Sequence, residues 1–425
     1  MNVAAETYVK LVLAMGEHDR DYVDAYYGPA AWRSAAQSEK KPLDRIRAEA
    51  VALIEWLSAA EDHSGTAATS PRRTAAAPYD VADAILEMRR QFLARQTEAL
   101  VARIDVVGGK RMSFDEESKA LYDAVAPHHS AEHFQELLHD LEGELPGPAS
   151  LTARLEAFRG KVIIPRETLD AVFNKAIDAC RSRTLQHMDL PADETFIVEY
   201  VTNKSWSGYN WYQGHYHSLI QVNTDLPIYI DRAIDLACHE GYPGHHVYNS
   251  LLEKNLVHDR GWIELTVYPL FSPQSLIAEG SANYGIEVTF PGRERIEWEK
   301  EHLFPLAGLD SSNAERYYRI LKLTDRLSYA GNEAARRYLD GEIDAAAAAG
   351  WLERYALMSP ARAKQRVAFI DQYRSYVVNY NVGKDLVRTY VESRAAGDDG
   401  KRWRVFEELL ASPKLPAALG APLPS

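Results

Sequence analysis

The sequence predicts a mainly helical protein with a small β-sheet set beside one kinked helix. Three observations carry this reading. Apolar residues recur at helical spacing through most of the 425 residues, and two short β-branched stretches interrupt that pattern near the middle. The helix that follows carries His239-Glu240-Gly241-Tyr242-Pro243-Gly244-His245-His246, and its proline denies it a regular course.

Composition narrows the class. With 46% hydrophobic and 26% charged residues the chain has ordinary globular usage. A formal net charge of −13 argues against nucleic acid as a partner, since phosphate binding needs clustered Lys and Arg. Residues 1–18 lack the order of a signal peptide, and no apolar run reaches the roughly 20 residues that span a bilayer. Cys180 and Cys238 make neither a disulfide framework nor a zinc-ribbon spacing. The expectation is a cytoplasmic protein without a membrane partner, built as a helical N-terminal lobe over 1–190 and a second lobe over 191–425, the two packed as one unit.

In the first half, Tyr8, Leu11, Val12 and Met15 give residues 4–15 one apolar face. A helix over 45–57 follows, and Ile85, Met88, Phe92 and Leu100 repeat the pattern over 81–101. Residues 62–78, rich in Ser, Thr, Ala and Gly with Pro71 and Pro78, read as a surface loop. Further helices are expected over 130–143, 151–159 and 165–187, the last with proline in its first turn. His128, His129, His133 and His139 lie among acidic residues and read as solvated surface.

The texture then changes. Residues 195–202 and 217–223 read as short strands. Between them, 206–216 is dense in Trp, Tyr, Gly and Asn, which suits either a stacked core corner or a wall of a substrate site. The motif helix runs over 229–252. Cys238 within it points about 100° away from His239 and reads as a buried structural residue. Helices over 280–288, 314–327, 334–339, 343–357, 360–376 and 401–410 complete the chain, with a frayed end to residue 425.

Three histidines and a glutamate within eight residues suggest a metal site. Zinc hydrolases commonly present two imidazoles four residues apart, with a carboxylate base, on one helix. Here His245 follows His239 by six residues, which on a regular helix separates them by about 120° and roughly 9 Å. Pro243 resolves the misfit. It has no N–H for the His239 carbonyl and its ring clashes with that oxygen, so the helix must bulge or break, and Gly244 tolerates the unusual dihedrals. A bulge absorbing two residues returns His245 to the face of His239 and sets Glu240 beside the ion. His246, about 10 Å from His239 along an ideal axis, is the reserve ligand. Hydrogen-bonded core histidines near a kink are the alternative.

His239-Glu240-x-x-Pro243-Gly244-His245-His246, then Glu279-Gly280-x-Ala282-x-Tyr284, then Tyr380-x-x-Gly383-Lys384 with Arg388 resemble, in order, the bacterial family called domain of unknown function 885. That family is similar to glutamate-zinc peptidases such as the carboxypeptidase Taq and thimet-type oligopeptidase groups. The resemblance implies a helical, cleft-bearing fold and peptide hydrolysis dependent on one zinc ion. It implies His239, His245 and Glu279 as ligands and Glu240 as general base. Ser281 and Asn283 depart from the family's usual Trp and Leu, which bears on pocket shape.

From this follow further expectations. Tyr380 supplies the donor for a developing oxyanion, with Tyr376 as its alternative. Lys384 and Arg388, four apart on one helix face, hold a substrate carboxylate or else form surface salt bridges. Asn283 orients a ligand histidine from behind. The strand ending at Asn223 pairs with an extended peptide by strand addition. The substrate is a peptide or small amide, with carboxypeptidase and oligopeptidase action both open. A peptide-binding protein without turnover, or a zinc hydrolase of a non-peptide amide, are the alternatives.

Overall fold

The computed structural model describes residues 1–66, 81–204 and 206–420. The loop expected over 62–78 lies outside the described residues from 67 onward, as does the last part of the expected frayed end, 421–425. The protein is mainly helical with a small sheet, as its periodicity predicts. Asn2–Gly16 buries Tyr8, Leu11, Val12 and Met15, and Leu43–Thr66 packs against Val81–Val107. Ala131–Glu144 begins where the Ser130 side chain accepts from the His133 amide.

Three helices lack the sequence signal that marks the others. Ala30–Glu39 buries only Ala36, so it has no apolar stripe to read. Phe114–Tyr122 is short but opened by a full capping box from Ser113 and Glu116. Arg293–Leu306 is charged over most of its surface. The helix expected over 360–376 ends earlier: Pro360–Tyr373 stops where Arg374 takes φ 51°, and a short turn leads into Val378–Ala395.

The strands are β1 (Val23–Tyr26), β2 (Thr195–Val201), β3 (Gly208–Gly214), β4 (His217–Asn223) and β5 (Val267–Pro269). In the larger sheet β4 is central, parallel to β2 and antiparallel to β3. The expectation that the strand ending at Asn223 takes up a peptide is therefore corrected, because both of its edges are already paired. Asn223 instead donates its side-chain amide to the Lys204 and Trp206 carbonyls at 3.0 and 2.9 Å. β1 and β5 form a separate antiparallel pair, irregular in register between Val23 and Ala25.

One hydrophobic cluster runs from Ala4 to Leu419 and draws on residues from both sides of position 190. Ion pairs to buried carboxylates cross the same boundary: Arg89 reaches Glu264 at 2.6 Å, and Arg374 reaches Glu117 at 2.6 Å. Among the described residues no helix is long and apolar enough to cross a membrane.

Candidate active site

The motif helix starts regularly at Asp231–Leu236, widens into a π-helical turn over Ala237–Gly241, breaks, and resumes as His245–Leu252. In the π turn the Tyr242 amide reaches back five residues to the Ala237 carbonyl, at 3.0 Å. The Tyr242–Pro243 peptide is cis. Gly244 has φ −77° and ψ −135°, and a Cβ there would lie 1.9 Å from the His239 carbonyl oxygen. Glycine is therefore required by close approach to the carbonyl that Pro243 leaves free.

This path returns His245 to His239. Their Nε2 atoms face each other at 3.2 Å, and Glu279 Oε2 lies 3.4 Å from one and 3.9 Å from the other. All three ligand atoms fall within 4.8 Å of one another, and this is the one group of that kind among the described residues. Glu279 comes from Pro273–Thr289, a helix buried along nearly its whole length. Its Oε1 accepts from the Tyr376 hydroxyl at 2.9 Å, while Oε2 is buried without a hydrogen-bond partner. An orphaned carboxylate oxygen facing two imidazole nitrogens is the donor set that a tetrahedral divalent ion needs, with one position left open.

The electrostatics agree with such a site. Burial lowers His245, and the neighbouring His239 adds to this, bringing it to about 4, so it stays a neutral donor. Burial works against a charged His239, but the Glu240 and Glu279 carboxylates outweigh it and raise its pKa. Burial likewise opposes ionisation of Glu279, yet the approach of His239 and His245 holds it low. Glu240 is pushed up to about 7, first by burial and then by the Glu279 and Asp24 carboxylates.

His246 is not part of this cluster. Its Nδ1 lies 2.9 Å from Ser218 Oγ and its Nε2 2.9 Å from Glu194 Oε2, so both ring nitrogens are engaged. The reserve-ligand expectation is corrected on that ground. Asn283 does not touch a ligand histidine either. It donates to the Glu279 carbonyl at 3.0 Å and the Tyr380 carbonyl at 3.4 Å, tying two helices together. Lys384 is held by Glu287 at 3.0 Å and Asp325 at 3.3 Å, and Arg388 by Glu287 and Asp385. Neither lines the cleft, which corrects the carboxylate-clamp expectation in favour of its salt-bridge alternative. The cations that do line it include Arg362 and Arg366. Arg366 lies over the Phe369 ring at 5.2 Å and has no carboxylate partner among the described residues.

The triad opens into a cleft of about 610 Å³, lined also by Glu240, Tyr376 and Tyr380. Tyr376 is committed to Glu279, whereas the Tyr380 hydroxyl makes no hydrogen bond to a described residue. Burial, then the Glu279 charge, raises both phenols well above their ordinary range, so both remain proton donors. Trp206 and residues 207–210 line the cleft, while Tyr212 turns into the core, so the aromatic segment is both wall and core corner.

No family profile matches the chain, and no curated protein matches it in sequence. Its fold has counterparts among solved structures. One, described as a "putative lipoprotein" from Colwellia psychrerythraea, is 14% identical with a TM-score of 0.50, over 79% of this chain. The match spans 59% of the length of that structure. A "putative lipoprotein of unknown function" from Shewanella oneidensis is 14% identical over 89% of this chain and 75% of that one, with a TM-score of 0.43. An M32 carboxypeptidase from Deinococcus radiodurans R1 is 14% identical over 96% and 88% respectively, with a TM-score of 0.35. The first of these shows a shared fold.

Sequence reasoning missed several residues around Glu240. Gly208 on β3 lets that strand press inward, since a Cβ there would sit 2.8 Å from Glu240 Oε1. Asn210 donates to the Glu240 backbone carbonyl at 2.7 Å, supporting the π turn. Asp24, from β1, reaches the cleft and accepts a hydrogen bond from Tyr209. The aromatic segment 206–216 signalled the first two. Nothing local signalled Asp24, which arrives through a pairing with residues some 245 positions away.

Proposed function

We propose that this protein is a zinc-dependent peptidase, with His239, His245 and Glu279 holding one zinc ion and Glu240 as the general base. The observation that carries the reading is the convergence of those three donors, one an orphaned buried oxygen, beside the Glu240 carboxylate in a cleft. The motif resemblance to domain of unknown function 885 supports the same assignment.

When bound, the zinc ion supplies an activated water and a Lewis acid for the substrate carbonyl. Glu240 accepts the proton of the attacking water and returns it to the leaving amine. Tyr380, its hydroxyl free in the cleft, donates to the oxygen on which negative charge develops. Tyr376 keeps Glu279 Oε1 occupied and so leaves Oε2 for the ion. Arg362 and Arg366 are the cations available to a substrate carboxylate. We retain the cytoplasm as the compartment.

Metal content and peptide hydrolysis, measured on wild-type protein and Glu240→Gln, test this. We expect about one zinc per chain in both, with hydrolysis lowered at least ~100-fold in the variant. Carefully prepared wild-type protein without metal, or a variant that retains its activity, would overturn the reading.

A further inference from the structure

Four carboxylates line the cleft, Asp24, Asp235, Glu240 and Glu279, together with Arg159, Arg232, Arg362 and Arg366. Asp235 is paired with Arg232 and Arg295, Glu279 faces the two histidines, and Glu240 is the proposed base. Asp24 is the one of the four left without a cationic partner among the described residues or an assigned role, and it sits at an irregularity of the fold.

Asp24 sits where β1 loses register with β5, between the paired residues Val23 and Ala25. Such irregularities re-aim a side chain, and here the carboxyl lines the cleft. Tyr209 donates its hydroxyl to Oδ1. Asp24 forms no ion pair among the described residues, although charged pairs are common elsewhere in the chain. Burial pushes its carboxyl up to about 7, Tyr209 opposes this, and Glu279 adds to it, with no cation among the causes.

Its surroundings are aromatic. Tyr209, Tyr268 and Tyr373 line the cleft with it, and the Asp24 charge reaches all three phenols. Tyr209 is itself stacked on Trp211, with ring centroids 4.4 Å apart. A carboxylate without a cationic partner, set among tyrosines in a cleft, can receive an alkylammonium group through a charge-assisted hydrogen bond, with the aromatic rings adding cation–π attraction.

We propose that Asp24 is the counter-ion of a substrate ammonium group, so that the cleft selects peptides bearing a primary ammonium near the scissile bond. The proposal rests on the peptidase reading for its substrate class, and it adds a specificity residue from the N-terminal strand. The ammonium has two sources in peptides, a free N-terminus and a lysine side chain.

Asp24→Asn tests it, because the amide oxygen still accepts from Tyr209 while the charge is removed. One pentapeptide is made with its N-terminus free or acetylated, and with lysine or norleucine at each position in turn. In wild-type protein, kcat/KM favours the ammonium-bearing member of one such pair. In Asp24→Asn that preference falls by more than about 10-fold, mainly through KM. Loss on acetylation identifies the α-ammonium as the group, and loss on norleucine identifies the lysine. Equal rates within every pair in wild-type protein, or a preference unchanged in the variant, would overturn the proposal and leave the peptidase reading intact. If zinc-loaded wild-type protein cleaves no peptide, the peptidase reading itself fails. Calorimetric titration with phenethylammonium then decides for Asp24: binding by wild type that Asp24→Asn loses supports the subsite, and equal or absent binding removes it.

Discussion

At the scale of single residues, Glu279 divides its two oxygens between two tasks. Oε1 takes the Tyr376 proton and Oε2 faces the two histidines. Removing the Tyr376 hydroxyl frees the carboxylate to rotate, so Tyr376→Phe is expected to weaken metal binding about 10- to 100-fold. Competition against a chelator measures it. Glu194 offers a separate test through pH. Although it is buried, hydrogen bonds from His246, Tyr242 and Arg181 hold its pKa below the ordinary carboxylate range. The unfolded chain thus binds this proton first as the pH drops. The stabilisation is complete above the ordinary carboxylate pKa and is lost as pH falls through the lowered folded value. Urea midpoints between pH 6 and 3 should fall less steeply in Glu194→Gln than in wild type. The sequence drew attention to His246 as a histidine beside two others, but only the fold brings Glu194 and Ser218 to its ring.

At the scale of elements, the helix of Glu279 and the helix of Tyr380 cross at two glycines. A Cβ on Gly280 would lie 2.4 Å from the Gly383 carbonyl carbon, and one on Gly383 would lie 2.7 Å from the Leu276 oxygen. The two backbones touch, and that contact sets how far Tyr376 and Tyr380 stand from Glu279. Gly280→Ala must force the helices apart, at a cost of about 1–3 kcal/mol or more. Denaturant midpoints should show this, and on the proposed function hydrolysis should fall by a larger proportion. Helices were legible wherever an apolar stripe existed, and the break in the motif helix was legible from Pro243 alone. The third strand of the sheet was not, because Gly208–Gly214 mixes glycine and asparagine with aromatics. For Lys384 and Arg388 helical spacing left clamp and salt bridge both open, because it places them on one face without revealing that Glu287 waits opposite both.

At the scale of the whole molecule, the site draws on widely separated parts of the chain. β1 brings Asp24, the motif helix brings His239, Glu240 and His245, and later helices bring Glu279, Tyr376 and Tyr380. Residues 1–190 leave much of the shared core, the β5 partner and the carboxylate of Glu264 behind. We expect that fragment, produced alone, to show no cooperative thermal unfolding, whereas the full chain does; calorimetry of both checks it. The pairing of β1 with β5 also orders events on the ribosome. The first strand to be made has no partner until residues 267–269 have emerged, and the last helix bordering the cleft follows more than 100 residues later. A nascent chain therefore holds an incomplete cleft until that helix has emerged. On the proposed peptidase reading, hydrolysis then begins only once residues 378–395 have joined the cleft.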